Sequence, residues 1–197
     1  MVTNCHMFAP GQYAFRGSLT AEEKRESAPS HTTGHRTNML SAFTYYSDYS
    51  VDIPYQPGNI VIADTIVEGA DKLLHYNRSG NEIWQTNRPL ANIRFERVTA
   101  TNLAQPAVIY GEEDFPISAE FCQVHMTVRE GCEETSLFWV CNYDNIRMED
   151  VTVEGGADVP LIQTWSNGEI NIKNLTYESE RTRIMERQTS PFIVAGI

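Results

Sequence analysis

The chain has 197 residues, with 26 acidic side chains against 15 basic ones and a net charge of −11 at pH 7. This length suits a single domain. The acidity argues against nucleic acid as a partner, because phosphate contacts require clustered lysine and arginine. No apolar run approaches the length of a membrane span, and no signal peptide is recognisable. The spacings of the four cysteines fit no zinc motif, so we expect neither a metal nor a cofactor.

The first predicted element, at residues 2–7, is a weak copy of a strand pattern that recurs along most of the chain. The pattern is clearest at residues 92–100, where apolar residues alternate up to Phe95 and resume one residue out of phase at Val98. Further copies lie at residues 59–67, 119–126, 145–153 and 169–177. Their second apolar positions, 33, 26, 27 and 24 residues apart, are Ile62, Phe95, Phe121, Met148 and Ile172. Repeats of this length indicate a solenoid, in which each unit buries its face against its neighbours.

The residue at which the apolar alternation shifts phase, here called the slip residue, predicts a corner in the chain. These slip residues are Asn4, Asp64, Arg97, Gln123, Asp150 and Asn174. Four of the six are Asn or Asp, the non-glycine residues that best tolerate the left-handed conformation. One such residue turns the chain sharply while both flanking strands keep their apolar side chains inward. Each copy is therefore interpreted as two short strands joined by a corner.

A third short strand is predicted after a polar gap in each copy. The candidates are residues 13–16, 73–76, 107–110, 137–140 and 161–164. Three short strands per turn are typical of a parallel β-helix. A β-sandwich is the alternative, but it does not require the same kind of corner residue at a fixed place in each repeat. The pattern therefore favours an all-β fold forming one parallel β-helix domain over residues 1–197.

One irregular insertion, at about residues 18–56, interrupts the repeat. Thr20 with Glu23 three residues later resembles a capping box, which predicts a short helix through Glu26. The early part of its aromatic stretch, from Met39, is expected to supply a strand of the third type. Long insertions in compact folds are often functional loops, and a disordered excursion is the alternative.

Three stretches resemble the C-terminal rungs of glycoside hydrolase family 28, the polygalacturonase-like group. They read "GNIVIADTIVEGADKLLHYN", "RPLANIRFERVTATNLAQPAVIYGEEDFPI" and "DNIRMEDVTVEGGADVPLIQTW". The resemblance covers about residues 1–17 and 57–178. It implies a right-handed, single-stranded parallel β-helix, similar to pectin lyases. It also implies hydrolysis of uronate-containing, pectic polysaccharide by paired carboxylates, and a parent protein that is secreted or periplasmic.

The family's catalytic signatures are absent from this sequence. The Asn-Thr-Asp stretch, the Asp-Asp pair and the Gly-His-Gly are not found, and Phe15-Arg16-Gly17 matches the Arg of Arg-Ile-Lys with Ser18 in place of the lysine. We therefore expect the chain to lack the catalytic carboxylates and to be truncated at its N-terminal end. An exposed first rung would be covered by the insertion or by another copy of the chain.

Three functions stay open at this point. One is a hydrolase of the pectic type that is incomplete in this chain. The second is a non-catalytic β-helix that binds carbohydrate or serves in assembly. The third is a β-helix lyase, but a calcium-dependent lyase would require a cluster of acidic ligands, which the sequence does not suggest.

The resemblance places the sugar-binding cleft along the third strands, where five side chains are candidates for an outward position. These five candidates are Arg16, His75, Tyr76 and the pair Tyr45 and Tyr46, of which one is expected to point outward. Aromatic faces suit the C–H surfaces of sugars, and arginine pairs bidentately with a uronate carboxylate. The alternatives are a surface ion pair for Arg16, stacking on a neighbouring rung for Tyr76, and a hydrogen-bonded surface position for His75.

Tryptophan supplies the last candidate contacts. Trp84 lies in a loop before the next rung, where sugar stacking and loop packing are equally compatible with the sequence. Trp139 and Trp165 are interpreted as packing residues.

Overall fold

The computed structural model describes residues 1–8, 39–45, 48–50, 55–76, 85–87, 89–129, 136–156, 159–177 and 184–186. Within these ranges the chain forms fifteen β-strands and no helix. The strands are β1 (Val2–Thr3), β2 (His6–Phe8), β3 (Met39–Tyr45), β4 (Asp48–Ser50), β5 (Ile60–Glu68), β6 (Ala70–Tyr76), β7 (Gln85–Asn87), β8 (Asn92–Leu103), β9 (Ala107–Tyr110), β10 (Ile117–Val128), β11 (Phe138–Cys141), β12 (Tyr143–Glu154), β13 (Ile162–Thr164), β14 (Glu169–Tyr177) and β15 (Ile184–Glu186).

Two parallel sheets hold nearly all of these strands. The first sheet has the order β1-β5-β8-β10-β12-β14, with β2 also paired to β5, and the second has the order β15-β13-β11-β9-β6-β3. A small antiparallel pair joins β4 to β7. This all-β arrangement is compatible with a parallel β-helix. It also confirms that the stretch from Met39 supplies a strand of the third type.

The long strands of the first sheet bend at the predicted corners. All six slip residues have a left-handed backbone, with φ between 48° at Asp64 and 55° at Gln123 and Asp150. Because this conformation disfavours most side chains, the Arg97 corner is notable; its guanidinium donates to the Asp64 carboxylate from Nε at 2.6 Å and from Nη2 at 2.9 Å. The corner prediction is confirmed.

The repeats align rung by rung as the sequence spacing predicts. In the first sheet the anchor positions pair in register, with Phe95 opposite Ile62 and Phe121, and Met148 opposite Phe121 and Ile172. Phe121 stacks on Phe95 with ring centroids 5.3 Å apart, and it meets Phe138 of the second sheet edge-to-face at 5.4 Å. The core therefore lies between the two sheets, and these aromatic contacts pack one sheet against the other.

Several sequence predictions fall outside the described residues. They are the strand at 13–16, the helix from Thr20 to Glu26, and the contacts of Arg16, Tyr46 and Trp84.

Candidate functional site

The second sheet presents one row of side chains on the face away from the core. Phe43 and Phe138 contact phenylalanines of the first sheet, so the residues that follow them, Thr44 and Trp139, point outward. Register extends this row over six strands. We call it the outer row: Thr44, His75, Val108, Trp139, Gln163 and Met185.

The outer row is unusually buried for an outward face. Val108 is 6% exposed and Gln163 is fully buried, while His75 and Trp139 are partly exposed. Gln163 donates its side-chain amide to the Met185 sulfur at 3.6 Å. The row thus combines polar side chains with apolar and aromatic ones on strands about 4.8 Å apart.

His75 is the titratable side chain of this row. Its ring Nδ1 is buried and has no hydrogen-bond partner among the described residues. Burial, helped by the nearby positive charge of Lys72, lowers the pKa of His75 to about 4. The imidazole is therefore neutral at pH 7. Its Nδ1 can donate or accept a hydrogen bond with a ligand, depending on the tautomer.

Trp139 offers a second unsatisfied polar atom two rungs along. Its indole Nε1 is buried without a partner in the described part of the chain, and its ring meets Trp165 edge-to-face at 5.8 Å. A buried indole N–H ordinarily finds an acceptor. Two strand spacings separate Trp139 from His75, or about 10 Å. The row therefore presents a donor and an imidazole nitrogen at the spacing of a short oligomeric ligand.

The orientation expected for two of the tyrosines is wrong. Tyr45 is 9% exposed and Tyr76 is 4% exposed, and their rings pack on each other in the core at 5.2 Å. The Tyr45 hydroxyl donates to the Tyr110 carbonyl at 2.9 Å and accepts from the Tyr110 N–H at 2.7 Å. Consecutive strand residues face opposite sides, so Tyr76 could not share the outward face with His75. Neither ring offers a face to a sugar.

The outer row carries no carboxylate at any of its six positions. The nearest buried acid of the same sheet, Asp71, is engaged by Arg129 Nη2 at 3.1 Å. No group of three or more potential metal ligands was found among the described side chains. The row is equipped to bind a polar ligand, and it lacks the paired acids that hydrolysis of a glycosidic bond requires.

Of the three predicted contact residues that the structure describes, Tyr45, His75 and Tyr76, only His75 lies on this row; Arg16, Tyr46 and Trp84 lie outside the described residues. Val108, Trp139 and Gln163 were missed, and Trp139 had been interpreted as a packing residue. Aligning the predicted strands 73–76, 137–140 and 161–164 by their first residues brings Trp139 and Gln163 beside His75, but the predicted strand 107–110 aligns Ile109 with them, one residue away from the observed register at Val108.

The chain matches no protein-family model, no curated protein and no solved structure. The described residues also include no helix long and apolar enough to cross a membrane. Function is therefore argued from the geometry of the site.

Proposed function

We propose that this chain is a right-handed parallel β-helix of the polygalacturonase-like type that binds a polysaccharide along the outer row without cleaving it. The observation that carries the proposal is the pair of buried ring nitrogens on one outward row, His75 Nδ1 and Trp139 Nε1, that no described residue partners. Buried polar atoms without partners cost free energy, and a ligand that pairs with them recovers it.

Carbohydrate suits this row better than other polar ligands. A sugar has hydroxyls at its edges for the two ring nitrogens and C–H faces for the aromatic Trp139 and Trp165 side chains, which lie 5.8 Å apart. The spacing of about 10 Å between His75 and Trp139 is comparable to the length of a disaccharide. A chain of sugars running across the strands would meet one row position at each rung.

Lys72 favours an acidic sugar on this row. Its ammonium lies close enough to His75 to depress the pKa of the imidazole, so it can attract the carboxylate of a bound uronate. The net charge of −11 opposes a polyanion over the rest of the surface. We therefore expect binding of pectic oligosaccharide that weakens as salt is raised.

Binding is favoured over hydrolysis because the outer row contains no carboxylate. A hydrolase of this class needs two carboxyl groups, about 5 to 10 Å apart, on either side of the scissile bond. The hydrolase remains the second candidate through the sequence resemblance alone.

The test is to measure binding and reducing-sugar release together, on a panel of pectic and neutral polysaccharides, with the full chain. We expect retention on pectic polysaccharide without release. Trp139→Phe keeps a stacking ring but removes the N–H, and His75→Gln removes the imidazole; each should weaken binding about tenfold.

Phe8→Leu is the matched control, because Phe8 is an exposed aromatic on the first sheet. It should bind like the wild type. Reducing-sugar release by the purified chain would refute the non-catalytic proposal, and equal binding by Trp139→Phe and Phe8→Leu would refute the outer row as the site.

A further inference from the structure

A groove of about 430 Å³ opens on the outward face of the first sheet, where β5, β8 and β10 begin. This volume lies within the usual range of small-molecule sites, roughly 300 to 1,000 Å³. Residues from three successive rungs line it: Asn59, Ile60, Val61, Asn92, Ile93, Arg94, Ser118 and Glu120. The groove is remote from the outer row, which belongs to the other sheet.

Two side chains of this groove hold buried polar atoms that no described residue satisfies. They are the Nε of Arg94, a donor, and the Oε2 of Glu120, an acceptor. Nη2 of Arg94 lies 3.1 Å from Glu96 Oε2, whereas Nη1 lies 3.6 Å from Glu120 Oε2. The separation of 3.6 Å is too long for a good hydrogen bond. Arg94 Nε and Glu120 Oε2 therefore offer a ligand one hydrogen-bond donor and one acceptor on adjacent rungs.

The framework of the groove holds these two groups in place. Arg94 and Glu120 are paired in register on β8 and β10, flanked by inward Ile93 and Phe121, which are buried. At the groove's edge, the Asn92 side-chain carbonyl accepts the Asn59 backbone N–H at 2.6 Å. Ser118 sits beside Asn92 in the register. The polar groups thus stand on paired strands, which position side chains more firmly than loops do.

We infer that this groove is a second carbohydrate site, and that it takes an uncharged sugar. A hydroxyl can accept from the Arg94 Nε–H and donate to the Glu120 carboxylate at once, whereas a carboxylate can only accept. Neighbouring hydroxyls of one sugar ring would satisfy both groups and leave Ser118 within reach of a third.

The local charges favour a neutral ligand over a uronate. Across this face four cations are matched by four acids: Arg94, Arg97, Arg147 and Lys173 against Asp64, Glu96, Glu120 and Glu149. Arg94 already faces two carboxylates, so a third would meet Glu120 with no spare positive charge. The charges of the groove itself therefore favour a neutral sugar over an acidic one.

This inference does not rest on the proposed function, and the experiment separates the two. Methyl β-D-galactopyranoside, methyl β-D-glucopyranoside and sodium galacturonate are each titrated into the full ¹⁵N-labelled chain. We expect the neutral glycosides to shift the amides of residues 92–94 and 118–120, and galacturonate to leave these amides unchanged. Trp139→Phe should bind the neutral glycosides in this groove like the wild type.

The decisive variant is Arg94→Lys, which keeps the positive charge but removes the Nε donor. It should lower the affinity for the neutral glycosides about tenfold or more. Arg147→Lys is the matched control one rung beyond Glu120, because Arg147 does not line the groove, and it should bind normally. The inference is overturned if Arg94→Lys binds like Arg147→Lys, if galacturonate shifts the groove amides as strongly as the neutral glycosides, or if no glycoside shifts them.

Discussion

The outward faces of the two sheets satisfy their polar groups in opposite ways. On the first sheet, exposed charges pair with one another: Arg97 with Asp64, and Glu149 with both Arg147 and Lys173. The hydrogen bonds from Arg97 hold the pKa of Asp64 below its usual range, and those from Lys173 and Arg147 do the same for Glu149. On the second sheet, five of the six outer-row side chains are buried or partly buried, and the ring nitrogens His75 Nδ1 and Trp139 Nε1 have no partner among the described residues.

This difference indicates where a bound ligand would stabilise the protein most. A face whose charges are already paired in water gains little from a partner, because exposed ion pairs are individually weak and exchange readily with solvent. A buried donor without an acceptor is different, since any ligand that supplies the acceptor removes a cost. The groove at Arg94 and Glu120 is the place on the first sheet where the same condition recurs.

The largest expected effect tests whether the two faces belong to one packed unit. Phe121 is fully buried in the first sheet and touches Phe138 of the second. Phe121→Ala should leave a cavity between the sheets and lower the free energy of unfolding by about 3 to 5 kcal/mol, measured by chemical denaturation. Phe8→Ala should change it by less than about 0.5 kcal/mol, because Phe8 is exposed. A loss below 1 kcal/mol for Phe121→Ala would show that the sheets do not share a core.

The next prediction contrasts an ion pair of each region. Arg129 pairs with Asp71 of β6, whose side chain is 4% exposed, so Arg129→Met would remove a charged partner from a buried carboxylate. We expect a loss of about 2 to 3 kcal/mol in the free energy of unfolding, reduced from the fully buried case because Arg129 is itself 19% exposed. Arg147→Met on the first sheet should change stability little. Equal losses in the two variants would contradict the distinction between the faces.

Much of the first sheet could be predicted from the sequence because its strands are buried on one side only. Alternation then reveals which side chains point inward, and the slip in alternation reveals the corner. A second set of left-handed residues was missed. Gly69, Asn102 and Gly155 each lie five residues after a slip residue, close to the C-terminal end of a bent strand. The recurrence of Gly or Asn at that offset was a usable signal.

The second sheet was harder to predict because its strands are short and buried on both faces. All four residues of β9 are buried, so hydrophobicity cannot tell its two sides apart. That ambiguity led Tyr45 and Tyr76 to be placed outward. The interpretation of Trp139 and Trp165 as packing residues agrees with the structure, where both are partly buried against the core. The Arg94–Glu120 groove was missed for a different reason: it depends on which charged residues become neighbours across rungs, and on which atoms of each remain unsatisfied.

A smaller effect isolates the backbone of the corners from packing. Gln123 has φ of 55° and is exposed, so its side chain contributes little to the core. Gln123→Val should lower the free energy of unfolding by about 1 to 2 kcal/mol, because a β-branched side chain tolerates the left-handed region poorly. Gln123→Asn should equal or exceed the wild type. His125→Val, which introduces a β-branched side chain at an outward position of the regular part of β10, should be nearly neutral, and a loss there matching that of Gln123→Val would assign the effect to β-branching alone.

The smallest expected effect uses pH to examine the outer row without a ligand. The folded pKa of His75, about 4, lies below the ordinary value of 6.5, so between these values the unfolded chain binds a proton that the folded chain does not. Stability contributed by the neutral imidazole is therefore present above pH 6.5 and is lost progressively as pH falls toward 4. His75→Gln should reduce the loss between pH 7 and pH 5 by about 1 kcal/mol, a value discounted because water screens the partly exposed ring. Thr44→Val, beside His75 in the register, should shift stability equally at both pH values. If His75→Gln also shifts both values equally, the imidazole is solvated like an ordinary surface histidine, and the outer row loses the unsatisfied nitrogen that distinguishes it from the first sheet.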